Sequence, residues 1–296
     1  MMDLVREGKE LFGAGRLHGV WPAKELLLKV AALEAWRTSL PGKRKRMWLL
    51  LLGGIAAAIV FTILRAVFPN AGAFDVLCSL AQLSGVIAVV VSIVMLIRLY
   101  RLKGDEDAAA VLGPLVRCIG PDLAKGGLLK VNASLLAPTH SDLLVRTGEK
   151  YATERYPECI DRFFKREILD LECRLRDGTR LQAGMVEHTV EKIHKKKNPR
   201  GKWKTKRKYR RKIDYRARLL LDDSRYRLTG SPRLPAGTSL RVGKHPRGAV
   251  IFLSLRKYPA EKDRVDAGPL LALLSGAYGA ITPAPPTEPI PTGGTQ

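Results

Sequence analysis

Residues 168–221 decide the fold of this chain, and they read ILDLECRLRDGTRLQAGMVEHTVEKIHKKKNPRGKWKTKRKYRRKIDYRARLLL. Apolar residues alternate with polar ones in residues 168–176, 181–197 and 202–221, a pattern typical of half-buried β-strands. Asp177-Gly178 and the sequence Asn-Pro-Arg-Gly at residues 198–201 have the composition of tight turns. The stretch therefore predicts three consecutive antiparallel strands.

The two turns also predict the register of these strands. A type I turn followed by a glycine in the left-handed conformation makes a three-residue loop with a bulge. In that geometry the apolar residues of neighbouring strands oppose each other on one face, and a slip by one residue would scatter them. The predicted pairs are Leu181 with Leu219, Ala183 with Ala217, Met185 with Tyr215, Glu187 with Ile213, Cys173 with Leu181, Leu171 with Ala183 and Leu169 with Met185.

Beyond Glu187 and Ile213 the two arms of the second hairpin become polar. We expect these arms to project from the core as a two-stranded ribbon. About ten residues in each arm, at ~3.3 Å per residue, would reach about 30 Å.

Shorter alternating segments follow the hairpin and complete an antiparallel meander of about six strands. They lie at residues 225–228, 239–242 and 249–255. We predict a small barrel or sandwich with some helix.

The segments before and after the meander have weaker patterns. We expect a strand at residues 128–136 and a helical turn at residues 158–165. Residues 105–118 are predicted to form a short helix, and residues 268–281 (GPLLALLSGAYGAI) a closing helix or, alternatively, a membrane-surface contact. The tail at residues 282–296 contains five prolines, which favours disorder.

Two apolar stretches precede the meander. Residues 47–64 read MWLLLLGGIAAAIVFTIL and residues 76–97 read VLCSLAQLSGVIAVVVSIVMLI, and neither contains a charge. A bilayer core of ~30 Å requires about 20 helical residues, so we predict a hairpin of two transmembrane helices; the alternative is two buried core helices. Small residues such as Gly54 and Gly85 would let the helices approach each other closely. Gln82 is expected to make a helix–helix hydrogen bond, and the absence of ionisable residues argues against a pump or transporter.

The flanking charges predict the orientation of this hairpin. Four consecutive cations at residues 43–46 precede the first stretch, and Arg98, Arg101 and Lys103 follow the second, whereas the connection around residues 69–72 has only Arg65 nearby. Because positive charge stays inside, both termini are predicted to be cytoplasmic. The expected localisation is the bacterial inner (plasma) membrane.

The N-terminal segment of residues 1–46 is predicted to be helical and amphipathic, most clearly from Pro22 to Leu40. Apolar residues recur there every three or four positions. This face either lies on the membrane surface or packs on the soluble domain. The apolar positions are Leu26, Val30, Leu33, Trp36 and Leu40.

The chain carries 51 Lys and Arg against 28 Asp and Glu, a net charge of +23. Such a balance points to an anionic partner. The four cysteines include no C-x-x-C pair, so the sequence predicts neither a zinc ribbon nor a disulfide framework. Free thiols are consistent with a reducing compartment.

Most of the excess charge lies in the second hairpin. Residues 192–218 hold 15 Lys and Arg and one acid, and eight of the cations occupy even positions of one strand, which places them on one face. This charged hairpin could bind one of three anionic partners: an anionic lipid surface, RNA or DNA, or an acidic protein. The alternative is an arm whose charges are merely solvated. The candidate anionic-partner residues are Lys195, Lys196, Lys197, Arg200, Lys202, Trp203, Lys204, Lys206, Lys208, Tyr209, Arg210 and Lys212.

The sequence shows no catalytic motif, and we expect no catalytic residue, cofactor or metal site. Residues 237–244 resemble a phosphate-binding loop, but the spacing is wrong and His245 stands where Ser or Thr is needed, so we predict a turn and a strand. His188 and His194 would lie on one strand face without a third ligand.

The functional hypothesis is a membrane-anchored, non-enzymatic binding or scaffold protein that presents a basic β-hairpin to an anionic partner. The alternative is an accessory subunit of a membrane enzyme or transport complex, recruited through its transmembrane hairpin. The predicted organisation is an N-terminal helical segment at 1–46, the transmembrane hairpin at 47–100, a connector at 101–166, an antiparallel β domain at 167–281 with the basic hairpin at 186–216, and a tail at 282–296.

Overall fold

The computed structural model describes residues 2–67, 73–101, 107–197, 200–222, 224–228, 230, 232–246, 248–260 and 263–284. The chain divides into two compact units. The first, here called the helical unit, comprises residues 1–14 and 31–104. The second, called the sheet unit, comprises residues 15–30 and 105–296.

The helices α1 (Met2–Ala14), α2 (Ala23–Val67) and α3 (Ala73–Arg101) supply the helical unit. Two helical segments, residues 23–67 and 76–99, are long and apolar enough to cross a membrane by length and composition. They contain both predicted apolar stretches. The predicted connection around residues 69–72 and the flanking Lys103 lie outside the described residues.

The close approach of α2 and α3 through small residues is confirmed. A side chain added at Gly54 would place its Cβ 3.0 Å from the carbonyl oxygen of Gly85. The predicted helix–helix hydrogen bond of Gln82 is also confirmed, since its Nε2 donates to Thr62 Oγ1 at 2.7 Å.

The predicted apolar positions of the N-terminal helix are buried against protein. In the helical unit, Leu33, Trp36 and Leu40 are 1%, 2% and 7% exposed, and Gly8 of α1 lies so close to the Ala32 backbone that a Cβ would clash with it. The helix begins at Ala23, however, because the preceding residues form a strand that ends at Pro22. The expectation of helix throughout residues 1–46 is therefore wrong for residues 16–22.

The sheet unit is built on one antiparallel sheet and two covering helices. The helices are α4 (Asp107–Ile119) and α5 (Gly268–Tyr278). The strands are β1 (Arg16–Pro22), β2 (Leu128–Ser134), β3 (Leu144–Thr147), β4 (Tyr151–Thr153), β5 (Tyr156–Arg174), β6 (Arg180–Lys197), β7 (Trp203–Leu220), β8 (Tyr226–Leu228), β9 (Thr238–His245), β10 (Gly248–Lys257) and β11 (Ile281–Pro283).

The order of the main sheet is β1-β2-β5-β6-β7-β10-β9, with β3 and β4 also paired to β5. Among the described residues β1 and β9 do not pair, so the sheet is open, where the sequence predicts a barrel or sandwich. The predicted strand at residues 225–228 is present as β8, but it pairs with β11 in a separate two-stranded sheet.

The predicted register of the long strands is confirmed. Leu181 pairs with Leu219, Met185 with Tyr215, and Leu171 with Ala183, and the remaining predicted pairs agree. Gly178 and Gly201 adopt positive φ angles of 91° and 77°, the conformation that the two turns require. Asn198 and Pro199 of the second turn lie outside the described residues.

The hairpin does not project as a two-stranded ribbon, because β5 is longer than predicted. It begins at Tyr156 and pairs with β6 as far out as Glu158 opposite Lys195. The predicted helical turn at residues 158–165 is thus wrong. Pairing with β6 along this whole length outweighs the local helical pattern, which shows how tertiary context overrides propensity.

On its other side, the outer part of β7 is uncovered. The ladder between β7 and β10 ends where Ile213 opposes Lys257. From Lys212 to Trp203 no described strand pairs with the second edge of β7. At this level β6 and β7 therefore belong to a wider sheet, in which β5 follows β6 and β3 and β4 follow β5, while β7 forms an edge that no described strand covers.

The core lies on the sheet face that carries the odd-numbered residues of β7. Leu171, Leu181, Leu219 and Leu253 are at most 2% exposed, and Leu270 and Leu273 of α5 are fully buried. The predicted closing helix is confirmed as α5. The predicted strands at residues 239–242 and 249–255 are confirmed as β9 and β10. Gly237, with a φ of 80°, and the strand after it form the predicted turn and strand at residues 237–244. The predicted disordered tail begins with residues 282 and 283, which instead belong to β11, and its residues 285–296 lie outside the described residues.

Candidate anionic-partner site

The predicted candidate residues lie together at the outer end of β6 and β7. Three of them are half-buried: Lys195, Tyr209 and Lys212. The other nine are exposed: Lys196, Lys197, Arg200, Lys202, Trp203, Lys204, Lys206, Lys208 and Arg210. The hairpin thus brings the predicted residues into one region and leaves most of them accessible.

The half-buried residues are held by neighbours on the sheet. Lys195 Nζ lies 2.8 Å from Glu158 Oε1, and Lys212 Nζ lies 3.6 Å from Asp214 Oδ2. The Tyr209 hydroxyl donates to a Glu191 oxygen at 3.2 Å. These three side chains therefore contribute to the structure of the hairpin as well as to its surface.

Four cations on β7 form what we call the basic row: Lys204, Lys206, Lys208 and Arg210. Their even numbers place them on one face, alternate residues being about 6.6 Å apart along a strand. No described carboxylate lies within 4 Å of their charged groups. The row is consequently a line of cations whose charge is not neutralised within the described chain.

The aromatic residues of β7 belong to the opposite face. Trp203 and Tyr209 occupy odd positions, and the Trp203 ring is 54% exposed with Lys197 Nζ 5.3 Å from its centre. A ligand that stacks on Trp203 therefore does so across the strand from the basic row.

A groove of about 720 Å³ continues the same face as the basic row toward the inner sheet. Its cationic groups are Arg216 and Arg218 of β7 and Arg241 of β9, and its acidic ones are Glu167 and Asp170 of β5. The Arg218 guanidinium lies 5.3 Å from the ring centre of Phe252, which orients it within the groove.

Arg241 is a member of this site that the sequence analysis missed. It lies opposite Phe252 of β10, which in turn lies opposite Arg218 of β7. Only the strand order brings it beside Arg218, since 22 residues separate the two in the sequence. Gly184 also lines the groove and, lacking a side chain, leaves room above the sheet.

A second set of charges, also missed, is buried beneath the opposite face. We call it the ion cluster; it consists of Asp107, Arg166, Glu187 and Arg211. Arg166 is 1% exposed, and its Nη2 lies 2.7 Å from Asp107 Oδ2 and 2.5 Å from Glu187 Oε2. Arg211 completes the cluster, with Nη2 3.1 Å from Asp107 Oδ2 and Nε 2.5 Å from Glu187 Oε1.

Backbone groups satisfy further atoms of the ion cluster. The Val265 amide donates to Asp107 Oδ1 at 3.3 Å, while Arg166 and Arg211 donate to the carbonyl oxygens of Leu136 and Asp263. The cluster therefore joins α4, β5, β6, β7 and two loops. Burial raises the pKa of Asp107 to about 6, against the opposing effect of the Arg211 charge.

The alternation of the sequence contains a signal that could have revealed this cluster. Glu187 continues the inward-facing positions of Leu181, Ala183 and Met185, and Arg211 continues those of Ile213 and Tyr215. Charges of opposite sign at inward positions are expected to pair, because an unpaired buried charge is strongly unfavourable.

The two histidines of β6 face different partners. His188 Nε2 lies 3.6 Å from Asp214 Oδ2, and burial lowers the pKa of His188. His194 Nδ1 lies 3.3 Å from the Sγ atom of Cys159, which is buried. Within the described residues no group of three His, Cys, Asp or Glu side chains comes together in a way that could hold a metal ion.

No known protein family, curated protein or solved structure matches this chain. Its function is therefore inferred from the residues and their geometry.

Proposed function

We propose that this protein is a membrane-anchored, non-enzymatic binding protein whose sheet presents a basic surface to an extended anionic partner at the cytoplasmic face. The observation that carries the proposal is the basic row, which lies exposed and without a described carboxylate partner on the same face as the arginine-lined groove. Like charges in line repel each other, and a polyanion that binds along them removes that repulsion.

The exposure of α2 and α3 supports the membrane anchor. In the most apolar 18-residue segment of α2 only 6% is buried, and in that of α3 only 17%. The core helix of a soluble protein would be mostly buried. Large side chains such as Leu49 and Leu77 are 60% and 63% exposed. A continuous apolar surface of this extent requires a covering of lipid or protein.

The flanking charges support a cytoplasmic location for the sheet. The cations at residues 43–46 and Arg98 lie at the ends of the apolar stretches that lead to the N-terminal and C-terminal segments. The tendency of positive charge to remain inside places both segments in the cytoplasm.

Among anionic partners the shape of the surface favours a single-stranded nucleic acid. The basic row and the groove together form a path along the sheet, and arginine binds phosphate through paired hydrogen bonds. A flat bilayer would reach the row but not the interior of the groove. An acidic lipid surface and an acidic protein are therefore the alternatives that the experiment has to separate.

The proposal is tested with the full chain in zwitterionic nanodiscs and a single-stranded RNA of mixed sequence. Replacement of Lys204, Lys206, Lys208 and Arg210 by Gln should weaken RNA binding and reduce the slope of log K against log salt by about 3, since each phosphate contact contributes ~0.7 on a single strand. The matched control replaces four exposed cations elsewhere by Gln: Arg16, Lys24, Lys125 and Arg233.

An unchanged salt slope in the basic-row variant, or an equal change in the control, would show that the row is not the binding surface. Binding to vesicles of acidic lipid or to an acidic protein, but not to RNA, would reassign the partner. Failure of the wild-type chain to stay with the bilayer in high salt or carbonate would reject the anchor.

The accessory-subunit alternative depends on free helix surfaces. One pair of small residues is already used between α2 and α3, where Gly54 meets Gly85, whereas a Cβ at Gly53 would meet no described atom within 4 Å. A stoichiometric membrane partner that co-purifies in mild detergent and is retained by the basic-row variant would favour this alternative.

A further inference from the structure

The helical unit contains a groove of about 750 Å³ between α2 and α3. Met47 and Leu50 of α2 form one wall, and Ile87, Val91 and Met95 of α3 form the other. Both walls are apolar over most of their length, and the groove is distinct from the one on the sheet.

One end of this groove is strongly cationic. Lys9 of α1, Lys43 and Arg46 of α2 and Arg98 of α3 line it together. None of the four is within 4 Å of a carboxylate among the described residues. The arrangement brings cations of three helices together around a space that contains no anion of the described chain.

Trp36 provides a second, independent indication of a ligand at the cationic end. Its side chain lines the groove and is 2% exposed, yet its indole Nε1 has no hydrogen-bond acceptor among the described residues. A buried donor without an acceptor is unfavourable, so a ligand oxygen that accepts a hydrogen bond from Trp36 Nε1 would stabilise this arrangement.

Lys43 lies beside this donor, with Nζ 4.0 Å from the centre of the Trp36 ring. The pKa of Lys43 is lowered, first by burial and second by the charge of Lys9. The ammonium groups of Lys43 and Lys9 share a partly desolvated space. An anion bound between them would offset the effect of the Lys9 charge on the pKa of Lys43.

The dimensions of the groove match one leaflet of a bilayer. Its lining on α3 extends from Ser84 to Leu99, a distance of about 22 Å at 1.5 Å per residue. Half of a ~30 Å hydrocarbon core is about 15 Å, and the remaining length corresponds to the headgroup region. The cationic end lies where the proposed topology places the cytoplasmic headgroups.

We infer that this groove binds an anionic glycerophospholipid, with its phosphate held by Lys9, Lys43, Arg46 and Arg98 and its acyl chains between α2 and α3. The inference rests on the proposed membrane anchor. It adds a lipid site in the helical unit that is separate from the basic surface of the sheet. Basic pockets at the cytoplasmic ends of membrane helices are suited to such headgroups.

The experiment measures which lipid the full chain retains in mild detergent. The chain is mixed with phosphatidylglycerol and phosphatidylcholine of identical acyl chains, and bound lipid is counted by native mass spectrometry. Wild type should retain phosphatidylglycerol in preference to phosphatidylcholine, because the four cations would repel the trimethylammonium group that phosphatidylcholine carries beside its phosphate. The Lys9→Gln/Lys43→Gln variant should lose that preference by about 30-fold, the effect of two charge contacts of ~1 kcal/mol each.

The matched control is Lys24→Gln/Lys45→Gln, which removes two exposed lysines that do not line the groove. It should retain the wild-type preference. Equal loss of the lipid preference in both variants would show a bulk charge effect and overturn the site. Equal retention of the two lipids by wild type would also overturn the site, and this outcome does not depend on how any variant folds.

Three further outcomes define what would fail. If soluble glycerophosphate displaces the lipid at comparable concentration, the site binds a phosphate alone and the acyl groove is rejected. If the wild-type chain integrates into bilayers but shows no lipid preference, only the lipid site fails. If it does not integrate, the membrane anchor itself fails.

Discussion

The ion cluster and the basic row contain similar residues on the same strands, yet their environments are opposite. Arg211 belongs to the cluster and Arg210 to the row, and the two are neighbours in sequence. The cluster combines two guanidinium groups with two carboxylates at distances of 2.5 to 3.1 Å, and it is almost completely buried. The row is exposed and has no carboxylate partner within the described chain.

This difference shows how the alternation of a strand assigns roles to charges. Inward charges have to be paired, because desolvation of an isolated charge is far more unfavourable than the net energy of a pair. Outward charges stay hydrated, so repulsion among them is weak and they remain accessible to a partner. The first set should therefore control stability, and the second should control binding.

The largest expected effect comes from breaking the ion cluster. Arg166→Met leaves Asp107 and Glu187 with Arg211 alone, and the free energy of unfolding of the sheet unit should fall by about 3–5 kcal/mol. This free energy is measured by urea denaturation of the full chain in detergent, with unfolding monitored by the far-ultraviolet circular dichroism of the sheet. Lys165→Met is the control, since this exposed neighbour should change stability by less than about 0.5 kcal/mol. Similar losses in both variants would mean that burial of the cluster is not what matters.

A smaller effect is expected from the titration of Asp107. Its pKa is about 6 in the folded chain against 3.8 for an ordinary aspartate, so folding favours the protonated form. The stability that Asp107 contributes through its proton is complete below about pH 4 and is lost as the pH rises through 6. The free energy of unfolding of wild type, measured relative to that of Asp107→Asn, should therefore fall by about 2 kcal/mol between pH 4 and pH 7.

The same denaturation experiment, repeated across pH, checks this sign. Glu149→Gln serves as control, because it removes an exposed carboxylate outside the ion cluster. A stability difference between wild type and Asp107→Asn that stays constant from pH 4 to pH 7 would contradict the raised pKa.

The smallest effect on stability is expected from the basic row. Replacement of Lys204, Lys206, Lys208 and Arg210 by Gln should leave the free energy of unfolding within about 0.5 kcal/mol of wild type, with a slight gain at low salt where repulsion is least screened. The same variant is expected to bind RNA more weakly. A stability loss comparable to that of Arg166→Met would remove the distinction between the two sets of charges.

The inner half of the hairpin was predictable because two independent signals agree there. The glycines at positions 178 and 201 define the turns, and the apolar alternation from Leu181 to Met185 allows only one register. Apolar stretches of sufficient length likewise predict α2 and α3. Local pattern is enough in both cases because the relevant contacts are short in sequence or set by helix geometry.

The outer half was harder to predict, since its partners are distant in sequence and its residues are polar. The sequence of residues 158–165 resembles a helical turn, and only its pairing with β6 shows that it is a strand. Arg166 reaches Asp107 across 59 residues, and Arg241 reaches the groove only through β10. Such contacts follow from the topology of the sheet, which the sequence predicts only in part.

The open edge of β7 has a consequence for how the chain behaves toward its own copies. An unpaired edge offers free backbone donors and acceptors, and it can pair with the same edge of another molecule and begin aggregation. On this edge every second residue from Lys204 to Lys212 is a cation. Two such edges brought together would repel each other along their length, so the charges that we propose attract a polyanion should also oppose edge-to-edge pairing of two molecules.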